Sequence, residues 1–281
     1  MIRQIRARLA FTTVSGYLLL LIVLPVGAIF TQAFSHGIGD FLSAITQPIG
    51  LAALGLTVRM ALITAVINGI TGTIVAFVLV RFRLPGRQLL NAIVDLPFAI
   101  PTTVSGLMLI FLYGPTSPLG TWLAAHGVKI IYSPFAILLA MVIVTFPYTI
   151  RSVQPLLEEL DPRMEEAAWT LGAQQTRVFR SILLPVMWPG ITTGCSLCFS
   201  RALSEFGAVV MVAGNIPMHT QVSAYYLYGL LENYDSQGAA SVSVVLLAIS
   251  FFALLYQLFA TRRVTRNQSK RVRLGELELG R

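Results

Sequence analysis

Seven stretches of 20 residues or more contain no Asp, Glu, Lys or Arg: 9–39, 60–80, 96–128, 130–150, 181–200, 206–231 and 236–261. A helix crosses the roughly 30 Å hydrocarbon core of a bilayer with about 20 apolar residues, and each of these stretches is that long. Charged residues make up 11% of the chain and hydrophobic ones 56%, against about 25% charged in ordinary soluble domains. That balance excludes a soluble globular enzyme, a disordered tail and a coiled coil. The chain reads as an all-α, polytopic membrane protein.

Not every stretch is one helix. Gly214-Asn215-Ile216-Pro217, followed by His219, Thr220 and Gln221, interrupts 206–231 with turn-forming and polar residues. Its first part reads as the end of a helix that begins near 187, and the remainder as an external loop. Gly114-Pro115-Thr116-Ser117-Pro118 ends the helix within 96–128 in the same way. Six spans are expected, near 13–34, 56–80, 89–113, 133–153, 187–212 and 237–260, within one transmembrane domain of 13–260.

Basic residues give the sidedness. Arg3, Arg6 and Arg8 precede the first span in a basic segment, 1–12, and Arg81, Arg83 and Arg87 separate spans two and three. Arg151, Arg163, Arg177 and Arg180 separate four and five, and seven more basic residues lie in the tail, 261–281. Seventeen of the 20 Lys and Arg residues therefore share one side. Both termini are expected to be cytoplasmic, which needs an even number of crossings. Such short clusters serve topology rather than one nucleic-acid-binding face, so no nucleic-acid partner is expected.

One cytoplasmic loop, 154–186, is patterned like structure. Asp161-Pro162 is a helix start, since Asp caps free amides and proline suits the first turn, and Glu165 and Glu166 sit near the positive end of the helix dipole. Met164, Ala167, Ala168 and Leu171 form an apolar stripe at i, i+3, i+4 and i+7. Gly172 follows where helices commonly end in a left-handed turn. A second short helix is expected from about Gln174 to Leu184-Pro185. An interfacial helix on lipid is the simplest alternative, but small residues and an acidic start suit docking into a protein cleft better.

Glu166-Ala167-Ala168, Gly172, and Ile182-Leu183-Leu184-Pro185 at this spacing resemble the EAA loop of bacterial ABC-importer permeases. The resemblance implies that Glu165, Glu166, Ala167, Ala168, Gly172 and Pro185 couple the chain to a cytoplasmic ATPase, the first short helix sitting in a groove of that subunit. Asp95-Leu96-Pro97-Phe98-Ala99-Ile100-Pro101-Thr102, Gly127-Val128-Lys129-Ile130, Arg151-Ser152-Val153-Gln154-Pro155 and Gly214-Asn215-Ile216-Pro217 resemble the sulfate/thiosulfate permease subunits. Ser204-Glu205-Phe206-Gly207-Ala208 matches a segment shared with molybdate permeases. The resemblance implies two ATPase subunits that carry ATP and Mg, a second permease, and an extracytoplasmic binding protein that delivers the oxyanion to the inner membrane. A heterodimer of permeases goes with sulfate and a homodimer with molybdate or tungstate. No cofactor is expected on this chain.

Polar residues within spans are the candidate path or gate: Thr102, Ser196, Ser200, Arg201, Ser204 and Glu205. Thr192, Ser196, Ser200 and Ser204 recur every four residues, either as hydroxyl donors along a path or as small residues for close helix packing. Arg201 and Glu205 are i, i+4 neighbours that can pair, although charge inside a membrane is functional by default. Pro97 and Pro101 predict a bend in span three, static or gating. Arg59 is expected to snorkel. Cys195 and Cys198 read as small packers, and His36, His126 and His219 are scattered, so no metal site is expected. Neither Lys129 nor Lys270 follows a glycine, which excludes a Walker A loop. An ion-gradient transporter is the rival from another class. It predicts internal repeats and coupling acids, and within the spans only Asp95 and Glu205 are available.

Overall fold

A computed structural model describes residues 11–279. Arg3, Arg6, Arg8 and Arg281 of the basic termini lie outside the described residues. The helices of the described part are α1 (Phe11–Ala33), α2 (Ile38–Ile45), α3 (Pro48–Arg81), α4 (Arg87–Ala99), α5 (Thr102–Tyr113), α6 (Pro118–Ala125), α7 (Pro134–Glu158), α8 (Arg163–Thr170), α9 (Gln175–Leu203), α10 (Gly207–Val212), α11 (Ser223–Glu232) and α12 (Ser236–Leu279). Among the described residues there is no strand.

Five of these, α1, α3, α7, α9 and α12, are long and apolar enough to cross a membrane. The expected third span is instead two helices, α4 and α5, bent by 108° at Ile100-Pro101. Proline disfavours the α conformation in the residue before it, and Ile100 is extended at φ −83°, ψ 128°. At 1.5 Å per residue each half is about 20 Å long, too short to cross alone.

Packing shows that the pair must cross. The α3 and α7 helices run parallel: buried Asn68 donates to Val142 O at 3.0 Å and Thr145 Oγ1 at 2.8 Å, and Gly72 lies against Thr149 one turn further on. Their C-terminal ends share one face, where Arg87 pairs with Glu158 at 2.7 Å. The start of α7 is about 37 Å away along its axis, so the chain between Arg87 and Pro134 returns through the bundle by way of α4 and α5. With the five long helices, the pair makes six candidate crossings. The α11 helix caps the opposite face, with Ser223 N donating to Thr57 Oγ1 at 2.9 Å and Tyr226 Oη to Gln47 Oε1 at 2.9 Å.

The centre is α3, α7 and α9, joined at small residues. A Cβ on Gly194 would stand 2.5 Å from Thr149 Cα, one on Gly190 2.5 Å from Ser152 O, and one on Gly72 2.8 Å from Thr149 Cβ. Two apolar clusters flank this waist, one around Ile137, Met141, Leu203 and Val209, the other around Ile150, Val153, Leu157 and Met187.

Several boundaries differ from expectation. The second short helix does not stop at Pro185; it runs on as α9 to Leu203. A π-helical run, Phe179–Leu183, directly precedes Leu184-Pro185, and another, Leu19–Val23, precedes Leu24-Pro25. The wider turn takes up the missing N–H and the ring, so the prolines do not break the spans. The fifth span begins earlier than 187 and ends at Leu203, with 207–212 forming the separate α10. The loop between spans four and five shrinks accordingly from 154–186 to 159–174.

Candidate functional site

The loop between α7 and α9 is built as its sequence suggests. Asp161 Oδ1 accepts the Arg163 N–H at 2.9 Å and so opens α8. Gly172 closes it in the left-handed region at φ +79°, with its N–H on Trp169 O at 2.9 Å and that of Ala173 on Ala168 O at 3.0 Å. The apolar stripe is largely uncovered, Leu171 being 88% exposed and Met164 52%, and Trp169 next to it is 51% exposed. Glu166 and Ala167 are exposed beside them and Ala168 is half-buried.

Glu165 and Glu166 part company. Glu165 is buried and forms an ion pair with Arg81 at the end of α3. It ties α8 to the transmembrane body and is turned away from the exposed stripe that sequence reading grouped it with. Glu166 has no side-chain partner among the described residues and stays exposed on that face. Pro185 lies within α9, beyond the loop itself.

Arg151 is the second correction. Reckoned among loop residues by charge counting, it stands inside α7 and faces α4. All five of its N–H donors have acceptors: Asp95 Oδ1 and Oδ2 at 2.7 Å each, Asn91 Oδ1 and Asn91 O at 2.9 Å each, and Gln154 Oε1 at 2.7 Å. Glu158 extends the network, accepting from Arg87 at 2.7 Å and from Gln154 at 3.1 Å. This network holds the first half of the broken span against α7. Asp95 and Arg151 are 56 residues apart, so no local spacing marks them; two opposite charges on apolar segments were the available signal.

Arg201 and Glu205 do pair, Nη1 to Oε2 at 2.7 Å. Glu205 is 2% exposed and lies just past the end of α9, where its other oxygen accepts the Ala208 N–H at 2.9 Å and caps α10. Thr102, at the start of α5, stands against Gly207, where a Cβ would meet its Oγ1 at 2.3 Å. The break in the third span and the break after α9 thus meet at one level.

The hydroxyl stripe is not the face that packs α9 on α7. That face is Gly190, Gly194, Cys198 and Ala202, all buried. Ser196 and Ser200 are half-buried and Ser204 is exposed. Ser204 lines a largely apolar pocket of about 510 Å³ with Leu203, Phe206, Tyr228 and Leu246, while the Ser200 hydroxyl is buried with no partner among the described residues. Cys198 donates to Thr145 O at 3.2 Å, Cys195 sits against Gly69, and both thiols are free. Arg59 is exposed and donates to Gly55 O at 3.2 Å.

Residues 68–266 match the family model described as the inner membrane component of binding-protein-dependent transport systems. The chain belongs to this family. Among curated relatives, the permease is 41% identical over 239 residues to the probable sulfate transport system permease protein of Nephroselmis olivacea, covering 85% of this chain and 84% of that one. It is 41% identical over 239 residues to the sulfate transport system permease protein of Synechocystis, with the same coverage. Its fold resembles a subunit of a bacterial alginate ABC transporter, with a TM-score of 0.73 and 16% identity over 93% of this chain and 95% of that one. It also resembles one of the inward-facing MetNI methionine ABC transporter, with a TM-score of 0.56 and 18% identity over 76% and 95%. The permease is a multi-pass membrane protein of the ABC-importer fold.

Proposed function

We propose that this permease is the membrane-spanning subunit of an ATP-driven importer of sulfate and thiosulfate in the cytoplasmic (inner) membrane. The observation that carries the reading is the 41% identity to sulfate transport system permeases over 85% of the chain. An extracytoplasmic binding protein delivers the anion. A second, different permease completes the pore, and two cytoplasmic ATPases hold ATP and Mg and hydrolyse the nucleotide. This chain carries no cofactor of its own.

The exposed stripe of α8, with Glu166, Ala167 and Ala168, seats in the ATPase, and Gly172 sets the turn behind it. Glu165 and Arg81 relay the displacement of α8 to α3. Thr102, Ser196, Ser200, Arg201, Ser204 and Glu205 lie near the path, where the two helix breaks meet. The termini lie on the cytoplasmic face together with α8, in keeping with the excess of basic residues there.

The test is labelled-sulfate uptake in a host without its own sulfate permeases, this chain being supplied with its partner subunits. ATP-dependent uptake blocked by excess thiosulfate, and weakly by excess molybdate, is the expected result. An assembled complex that ignores sulfate and imports molybdate or tungstate would keep the machine and overturn the substrate.

A further inference from the structure

Two arginines inside the spans are held in opposite ways. Arg151 has an acceptor for each of its five donors and is a structural clamp. Arg201 has one partner among the described residues, Glu205, which leaves most of its donors unused. Its side chain is 31% exposed, and a guanidinium is too costly to present to hydrocarbon over such an area. Its open edge therefore meets water or a polar partner. The hydroxyl of Ser200, the residue before it on α9, is buried without a partner among the described residues. Glu205, by contrast, is immobilised: it is fully buried, paired with Arg201 through one oxygen and bonded to the Ala208 N–H through the other.

We infer that Arg201 and Ser200 form a transient oxyanion station on the translocation path, and that Glu205 is the fixed counter-charge that keeps the anion from staying there. The inference rests on the sulfate-import reading. An unmasked guanidinium in a low-dielectric passage attracts a dianion strongly, whereas conduction requires binding weak enough for departure. A carboxylate 2.7 Å from Nη1 offsets most of that attraction and leaves N–H and O–H donors to replace lost hydration. Glu205 thus sets how long the anion dwells.

Glu205→Gln tests this in the assembled complex of both permeases and the ATPases, since the amide oxygen still accepts from Ala208. Without binding protein, the variant complex should retain labelled sulfate at least about tenfold more tightly than wild type, and uptake should slow by a similar factor. Adding Arg201→Gln should abolish the retention. An assembled Glu205→Gln complex that retains sulfate no better than wild type overturns the inference. Ser200→Ala, which removes a hydroxyl with no partner among the described residues, guards against failed assembly of the first variant. It should slow uptake severalfold at an unchanged thermal midpoint, and wild-type uptake also overturns the station. A wild-type complex that imports no sulfate sinks the import reading instead; where it imports molybdate, the same variants are read with molybdate.

Discussion

Adjacent glutamates in α8 have opposite environments, and that difference is measurable. Removing Glu165 strands Arg81, whose side chain is only 18% exposed, and losing one partner of a buried pair costs on the order of 3 kcal/mol. Glu165→Ala should therefore lower the thermal midpoint of the purified permease by several degrees. Glu166 has no side-chain partner among the described residues, so Glu166→Ala should leave the midpoint unchanged while reducing sulfate-stimulated ATP hydrolysis in the full complex. Equal effects of the two on the midpoint would refute the division. Gly172 offers a second test at this scale: a Cβ there meets nothing within 4 Å, so only φ +79° resists it. Gly172→Ala should cost about 1–2 kcal/mol, the ordinary penalty of a left-handed L-residue, read as a modest fall in the same midpoint.

Helices of this protein are held by two devices, close approach at glycine and charge pairing, and each fails differently. Gly194→Val drives a branched side chain into the Thr149 backbone, and with backbone as the obstacle the overpacking should cost about 3 kcal/mol or more. The variant should assemble poorly and melt early, whereas Gly27→Ala, with nothing within 4 Å, should not. Arg151→Ala unties α4 from α7; Asp95 is half exposed, so the loss should be on the order of 2 kcal/mol, below the roughly 3–5 of a fully buried pair. Differential scanning fluorimetry of the purified permease reads both. The same elements show what was legible in sequence. Charge-free length gave the spans, and Asp161, the apolar stripe and Gly172 gave α8, because capping and periodicity are local. The clamp on Arg151 was hidden because its partners come from 56 and 60 residues away. The ends of α9 were misjudged at both sides: a π-helical run absorbs Pro185, and Glu205 caps a new helix where hydrophobicity continues.

The whole molecule turns on whether the bent pair α4–α5 crosses the membrane. If it were re-entrant, α2, before α3, would lie on the same face as α8, and the first span and the last would have their terminal ends on opposite faces. The parallel run of α3 and α7 excludes that arrangement, because Asn68 and Gly72 meet α7 in ascending order and Arg87 reaches Glu158. Thr46, between α2 and α3, and Thr176, at the start of α9, must then lie on opposite faces. With Cys195 and Cys198 replaced by alanine, Thr46→Cys should react with a membrane-impermeant maleimide on cells whose outer barrier is open but whose inner membrane is intact. Thr176→Cys should react only after lysis. Labelling of both in intact cells, or of neither, would mean that the chain crosses five times and that the sidedness assigned to the coupling loop is wrong. Labelling of Thr176→Cys alone would keep six crossings and invert the protein, placing Glu166 and the exposed stripe of α8 where no ATPase can reach them.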